Sequence, residues 1–200
     1  MSNTAHDSTH AVKETPGPSR VPRGLFVIII LCLAALYGWA VYGDTPAPEK
    51  TVKNFYTAYF DRNYETVSQN LSVFWAARFL PEYAEMDAAD LVADRANIEK
   101  GIAAVIGEIE AENQLPEGLS IEIMKDYTKI GEKSAIVVYE FKENNEVTSK
   151  EAAILIMENG QFRIFNMSAI DDSALEQIQN FDMKILDENF TELLASPQSE

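Results

Sequence analysis

The chain has 200 residues with 16 Lys and Arg against 32 Asp and Glu, a formal net charge of −16. A surface this acidic argues against nucleic-acid binding, which needs an excess of basic side chains to contact phosphates. The one Cys (Cys32) and the two His (His6 and His10) precede residue 44, so the remainder lacks His- or Cys-based nucleophilic chemistry and the usual zinc ligands. The sequence therefore predicts no metal and no cofactor.

The first predicted element is a membrane anchor. Residues 25–43 read LFVIIILCLAALYGWAVYG and carry no charge. At about 1.5 Å per residue, a helix of this length spans roughly the hydrocarbon thickness of a bilayer. Because Lys13, Arg20 and Arg23 precede the run, the positive-inside rule keeps the N-terminus in the cytoplasm and exports the C-terminal part. A cleaved signal peptide is the alternative, although bulky aromatic residues crowd the candidate cleavage site.

The predicted anchor divides the chain into segments. Residues 1–24 are rich in Ser, Thr, Pro and Gly and are predicted to be a disordered cytoplasmic tail. Residues 44–50 are a predicted linker, residues 51–171 a predicted exported domain, and residues 172–200 a predicted C-terminal helix and tail. The expected location is the cell membrane, with a single span and an extracytoplasmic C-terminal domain.

The first half of the predicted domain has helical periodicity. Apolar residues spaced three and four apart from Val52 to Phe60 predict a first helix, which residues 61–63 end. A short second helix is expected to begin at Tyr64. A long third helix is predicted from Asp87 to Asn113.

The period changes to two after Gly118, which indicates β-strands. Strands are predicted at residues 119–128, 134–142, 147–158 and 161–169, and Asn159-Gly160 suits a type I′ hairpin turn. Four consecutive antiparallel strands after a group of helices predict an α+β domain.

One last helix is predicted after Asp171-Asp172, ending before Pro197. Ser173 to Glu176 fits a capping box at its start. Its apolar side, which includes Leu186 and Phe190, either packs on the domain or binds a partner, and both alternatives stay open.

Two stretches resemble one known fold family. Residues 55–67, FYTAYFDRNYETV, resemble the opening helix-turn-helix of nuclear transport factor 2-like domains. Residues 135–164 resemble the closing strands of that family, with a hairpin that ends in Gly160 and an aromatic-basic-Ile sequence, although many members have Trp where this chain has Phe162. The resemblance implies a cone in which helices pack on a curved four-stranded antiparallel sheet. It implies no single function, because this fold serves enzymes, binders and scaffolds.

Aromatic residues are the candidate ligand-binding residues. Within the cone that the resemblance implies, several tyrosine hydroxyls could donate hydrogen bonds to a ligand. The ordinary alternative is that these rings are core or rim residues whose hydroxyls reach water. The tyrosines considered are Tyr56, Tyr59, Tyr83, Tyr127 and Tyr139, and the predicted ligand-binding residues are Tyr59, Tyr127, Tyr139 and Phe141.

Three functions fit these observations. The first is a non-enzymatic, membrane-anchored binding or interaction module of the bacterial cell envelope, with a small apolar molecule or an envelope protein as its partner. The second is a structural subunit of a secretion- or conjugation-type membrane assembly, which the architecture alone supports. The third is an isomerase- or dehydratase-type enzyme that uses Asp or Glu and Tyr, and it needs a carboxylate inside the cone. No catalytic residue is predicted, and the oligomeric state is left open.

The predicted topology can be tested by adding protease to spheroplasts. We expect the C-terminal domain to be digested and the N-terminal tail to be protected, because the charge-free run places them on opposite sides of the membrane. Immunoblots against each end are the measurement, with a cytoplasmic protein as the protected control. Full protection of the domain would contradict the topology, and a released fragment beginning near Val41 would show cleavage instead.

Overall fold

A computed structural model describes residues 47–195. The predicted tail (1–24), the predicted anchor (25–43), residues 44–46 of the predicted linker and residues 196–200 of the predicted C-terminal tail lie outside the described residues. Among residues 47–195, no helix combines the length and the apolar character needed to cross a bilayer.

Helices come before and after one antiparallel sheet, which confirms the predicted α+β class. Within residues 47–195, five α-helices precede the sheet: α1 (Pro48–Phe60), α2 (Tyr64–Asn70), α3 (Val73–Ala76), α4 (Ala88–Ala93) and α5 (Arg95–Ile109). The strands are β1 (Leu119–Ile123), β2 (Lys129–Ile130), β3 (Ser134–Glu143), β4 (Glu146–Glu158) and β5 (Gln161–Ile170), and α6 (Asp172–Asn180) and α7 (Met183–Ala195) follow them. Single 3₁₀ turns lie at Ala77–Phe79, Pro81–Tyr83 and Lys125–Tyr127.

The helix boundaries follow local capping chemistry, with one correction to the prediction. Pro48 occupies the first turn of α1, where its missing N–H costs nothing, and Asn63 caps α2 by accepting a 3.1 Å hydrogen bond from the Thr66 N–H. The single long helix predicted from residue 87 to 113 was wrong. Two helices, α4 and α5, take its place and are separated at Asp94. The backbone of Asp94 leaves the helical region, and its carboxylate accepts a 3.0 Å hydrogen bond from the Tyr83 hydroxyl.

The sheet has the order β1-β3-β4-β5, and β2 also pairs with β3. The prediction of four strands was therefore one short, because the two-residue β2 gives no periodic signal. The first strand ends at Ile123 and not at residue 128, because residues 125–127 form a 3₁₀ turn. The predicted hairpin is confirmed, since Asn159 and Gly160 both have positive φ angles of 50° and 77°.

Strand β3 defines the two faces of the sheet. Val137 and Tyr139 face α1 and α2 and are fully buried, whereas Val138 lies on the opposite face against α6. From sequence, five residues are expected in the core: Val137, Tyr139, Ile154, Ile156 and Ile164. Four of them are buried, and Ile154 is half-buried. The core between the sheet and the first two helices consists of Val52, Phe55, Tyr56, Ala58, Val67, Leu71, Ala135, Val137, Tyr139, Ala153, Leu155, Phe162 and Ile164.

The C-terminal region is two helices and not the single helix predicted. They are separated at Phe181 and Asp182. The predicted capping box was also wrong, because the N-cap is Asp171, which accepts a 3.0 Å hydrogen bond from the Ala174 N–H.

Helix α7 packs on the domain, which is the first of the two alternatives left open by the sequence. Phe190 is buried, and its ring centroid lies 5.0 Å from that of Phe165. Asp187 accepts hydrogen bonds from the backbone N–H groups of Glu132 at 2.9 Å and Lys133 at 2.8 Å. Burial opposes ionisation of this carboxyl, but the hydrogen bonds from Ser134 and from these N–H groups outweigh it and lower the pKa of Asp187.

A buried ion pair connects the sheet to the helices. The side chain of Glu158, at the end of β4, is fully buried and pairs with Arg95 at the start of α5. The other amino group of Arg95 binds Glu99 at 2.9 Å, and Glu158 also accepts a 3.4 Å hydrogen bond from the Val73 N–H at the start of α3. The β4–β5 hairpin is thereby fixed against α3 and α5.

Truncating Ile164 should measure the contribution of the inner core. Its side chain is 0% exposed, so Ile164→Ala removes buried methyl groups and leaves a cavity. We expect a loss of about 2–5 kcal/mol in the free energy of unfolding, measured by urea denaturation. The matched control is Ile130→Ala at a side chain that is 56% exposed. Equal losses in the two variants would contradict the described packing.

Candidate functional site

Aromatic rings from α1 and β3 meet on the inner face of the sheet. Helical spacing brings Tyr56 and Phe60 to the same side of α1, where their ring centroids are 5.8 Å apart. Phe141 of β3 packs edge-on against both rings, at 5.6 Å from Tyr56 and 5.7 Å from Phe60. These contacts define an aromatic cluster that covers the inner face at the end of α1.

A triangle of oxygen atoms lies within this cluster, and we call it the Tyr–Tyr–Glu triangle. The Tyr56 and Tyr139 hydroxyl oxygens are 2.8 Å apart. Oε2 of Glu151 accepts hydrogen bonds from Tyr139 at 2.8 Å and from Tyr56 at 3.0 Å. The β3–β4 register places Tyr139 directly opposite Glu151, while α1 supplies Tyr56.

The triangle has few possible proton arrangements. Each phenol has one proton, so either both donate to Glu151 or one donates to the other, which then donates to the carboxylate. Burial is the main cause that raises the pKa of Tyr56 and of Tyr139 far above the ordinary value, and the charge of Glu151 adds to it. At neutral pH both groups are therefore hydrogen-bond donors and not phenolate bases.

Tyr59 lies beside the triangle but has a different partner. Its hydroxyl donates a 3.0 Å hydrogen bond to Oε1 of Glu110, just beyond the end of α5. Burial and the nearby Glu110 raise the pKa of Tyr59 to about 12. Arg62 donates to the Glu110 backbone carbonyl at 3.0 Å, so the α1–α2 corner is fixed to the C-terminus of α5.

The structure brings together three of the four predicted ligand-binding residues. Tyr59, Tyr139 and Phe141 all belong to the inner core or pack against it. Tyr127 does not join them, because it lies in the 3₁₀ turn after β1 and packs on the opposite face of the sheet near Val138. Tyr83, one of the wider set of tyrosines, packs in a separate cluster with α4 and α5.

Sequence reasoning missed Glu151. The residue stands next to Lys150 in a strand, where a charged pair is normally solvated. The alternation of side chains along the strand could have found it. Residues two apart in a strand point to the same face, so Glu151 lies on the face of Ala153 and Leu155, which are both fully buried. An acidic side chain on a buried face must find hydrogen-bond donors, and two tyrosines supply them here.

The residues around the triangle differ in exposure. Tyr139 is 0% exposed, whereas the side chains of Tyr59, Phe60 and Phe141 are half-buried. We call these three residues the aromatic rim. A separate open groove of about 630 Å³ lies between α2 and α5 and has residues such as Tyr64, Ala96 and Lys100 in its walls, so it does not include the triangle.

Neither a metal site nor a known relative assigns a function to this arrangement. Among residues 47–195, no group of three or more His, Cys, Asp or Glu side chains is placed to hold a metal ion. No protein-family model and no curated protein matches the sequence. The nuclear transport factor 2-like resemblance therefore stays a prediction.

The raised tyrosine pKa values predict a specific alkaline instability. The folded state binds the phenolic protons more tightly than the unfolded chain does, so the free energy of unfolding should be insensitive to these protons below about pH 9 and fall above pH 10. The limiting slope is roughly 1.4 kcal/mol per pH unit for each tyrosine. Tyr56→Phe/Tyr139→Phe should make the fall less steep, as measured by urea unfolding from pH 8 to 12. Tyr127→Phe is the control, and an unchanged slope in the double variant would contradict the expectation.

Proposed function

We propose that this chain is a membrane-anchored, extracytoplasmic interaction module of the cell envelope and that its C-terminal domain is not an enzyme. The charge-free run at residues 25–43 and the basic residues before it support the location. The proposed activity is the binding of an apolar segment of another envelope protein, and the aromatic rim is the surface that we propose for it.

The observation that carries this proposal is the internal satisfaction of the Tyr–Tyr–Glu triangle. The hydroxyl oxygens of Tyr56 and Tyr139 each lie within 3.0 Å of Oε2 of Glu151, and they lie 2.8 Å from each other. Because these donors already have partners and Tyr139 is fully buried, a ligand would have to break existing hydrogen bonds to use them. The hydroxyls of the triangle are therefore not available to a ligand, which leaves the aromatic rim as the surface for a partner.

The rim has the properties of a binding surface. Aromatic side chains that are half-buried lose little rotamer freedom on binding and provide large apolar area. Phe60 is held by edge-on contact with Phe141, and Tyr59 by its hydrogen bond to Glu110, so the rim is already ordered. A preorganised aromatic surface favours a protein partner with an apolar side chain that packs on it. A membrane assembly of the secretion or conjugation type is one source of such a partner.

The same triangle is also the specific observation that favours a second candidate. A carboxylate with two phenolic donors is a chemically suitable set for proton transfer beside a carbonyl group, as an isomerase- or dehydratase-type enzyme would need. The substrate would then have to reach Glu151 through the rim. Tyr139→Phe distinguishes the two functions, because it should abolish turnover in an enzyme and leave partner binding at the rim intact.

Site-specific photocrosslinking in intact cells tests the proposed function. A photoreactive phenylalanine at Phe60 should form a discrete adduct with one protein, because this ring lies on the aromatic rim. The control position is Phe79, whose ring is 47% exposed but packs on Trp75 in a different part of the domain. Immunoblotting and mass determination of the adducts are the measurements.

The outcomes separate the alternatives. A protein adduct at Phe60 that is absent at Phe79 supports the interaction module, whereas an adduct of small mass indicates an apolar small-molecule ligand. Equal labelling at both positions, or none at Phe60, would overturn the rim as a binding surface.

A further inference from the structure

The open groove between α2 and α5 is a cavity of ligand size, and we call it the α2–α5 groove. Its volume of about 630 Å³ lies in the usual range for small-molecule sites, roughly 300–1,000 Å³. Residues 62–65, Ser68 and Gln69 form one wall, and α5 forms the other wall between Ala96 and Ala104. The groove shares no residue with the aromatic rim or with the Tyr–Tyr–Glu triangle.

Three alanines and one aromatic ring shape the groove. Ala96, Ala103 and Ala104 have short side chains, which leave space open along α5. The Tyr64 ring lies against α5, because a Cβ added at Gly107 would be 3.5 Å from Cδ2 and 4.0 Å from Cε2 of Tyr64. Tyr64 is only half-buried, so part of its ring remains available for contact with a ligand.

The charged side chains of the groove balance one another. Its cations are Arg62 and Lys100, and its anions are Glu65 and Glu99. Arg95, which binds Glu99 at 2.9 Å from outside the groove, is itself paired with the buried Glu158. A groove without net charge does not select an anion or a cation by long-range attraction.

Three polar side chains of the groove have no hydrogen-bond partner within residues 47–195. They are the carboxylate of Glu65, the amide of Gln69 and the ammonium of Lys100. Asn63 uses only its carbonyl oxygen, which accepts a hydrogen bond from the Thr66 N–H, so its amide N–H groups are also unpaired in this part of the chain. A ligand can therefore bind this set without breaking hydrogen bonds of the protein, in contrast to the Tyr–Tyr–Glu triangle.

The set contains both donors and acceptors, and this decides the class of ligand. Lys100 only donates, Glu65 only accepts, and Gln69 does both. A phosphate or a carboxylate would bring a negative charge to Glu65, and a simple ammonium would bring a positive charge to Lys100. Each hydroxyl of a sugar both donates and accepts, so a sugar satisfies the whole set without adding charge. The C–H face of a sugar ring also packs on an aromatic ring, which Tyr64 provides.

We propose that the α2–α5 groove binds a neutral oligosaccharide. One sugar ring lies against Tyr64, and its hydroxyl groups form hydrogen bonds with Glu65, Gln69 and Lys100. A zwitterionic amino acid would match the charges of Glu65 and Lys100 but would leave the Tyr64 ring without a contact. This inference is independent of the partner proposed for the aromatic rim, because the two surfaces have no residue in common.

Ligand-observed NMR on the full-length chain tests the proposal. The protein is placed in phosphatidylcholine nanodiscs, because detergents with sugar headgroups would compete for the groove. The neutral probes are maltotriose, cellotriose and triacetylchitotriose, and the measurement is saturation transfer from the protein to the sugar protons. Glycine and inorganic phosphate are the charged probes, followed by saturation transfer and by the phosphorus line width.

Two pairs of variants locate the site. Ala104→Trp fills the groove from an exposed helical position, and Ala89→Trp makes the same change at an exposed position of α4. Gln69→Ala removes one proposed hydrogen bond, and Gln177→Ala on α6 is its matched control. We expect Ala104→Trp to abolish saturation transfer and Gln69→Ala to weaken sugar binding by about tenfold, with both controls unchanged.

Each outcome bears on the proposal, provided that circular dichroism shows folded variants. Saturation transfer to at least one trisaccharide that is lost in Ala104→Trp and kept in Ala89→Trp supports the groove as a sugar site. No transfer to any of the three trisaccharides, or transfer that survives Ala104→Trp, would overturn it. Binding of glycine or phosphate in preference to the sugars would also overturn it, because the groove would then select charge.

Discussion

The position of the β4–β5 hairpin against α5 depends on the ion pair between Glu158 and Arg95. The carboxylate is fully removed from water and lies at the end of the longest strand, while its partner begins α5 and also binds Glu99. A buried charge that loses its partner destabilises a protein by about 3–5 kcal/mol. The β4–β5 hairpin therefore cannot move away from α5 without a large penalty, and this fixes the sheet against the helices.

Strand β4 has a polar contact on each of its faces. Glu151 and Glu158 lie an odd number of residues apart, so their side chains point to opposite faces of the sheet. Glu158 holds one face to α5, and Glu151 receives the two tyrosine hydroxyls on the other. Strand β4 is therefore bonded to α5 through Glu158 and to α1 through the contact of Glu151 with Tyr56.

The sequence predicted elements whose signal is local and missed those that depend on distant partners. The Asn159-Gly160 turn and strand β3 were predictable because positive φ and alternation are properties of neighbouring residues. Glu158 stands just before the Asn159-Gly160 turn, where an acidic side chain is normally solvated. Its burial was not predictable from neighbouring residues, because its partner Arg95 is 63 residues away in the chain. At the break at Asp94, the carboxylate accepts a hydrogen bond from the Tyr83 hydroxyl. Tyr127 lies on the other face of the sheet because a 3₁₀ turn interrupts the strand alternation.

The acidic surface limits where this domain can touch another macromolecule. At physiological ionic strength the Debye length is about 8 Å, so charges beyond that distance are largely screened and local charge decides which surfaces can approach. At the rim, the carboxylates of Glu151 and Glu110 are occupied by tyrosine hydroxyls, which reduces the cost of bringing an apolar surface near them. Hydrogen bonding to these carboxylates is thus one way in which an acidic domain lowers the local charge at a surface, and it is at this surface that we propose a partner binds.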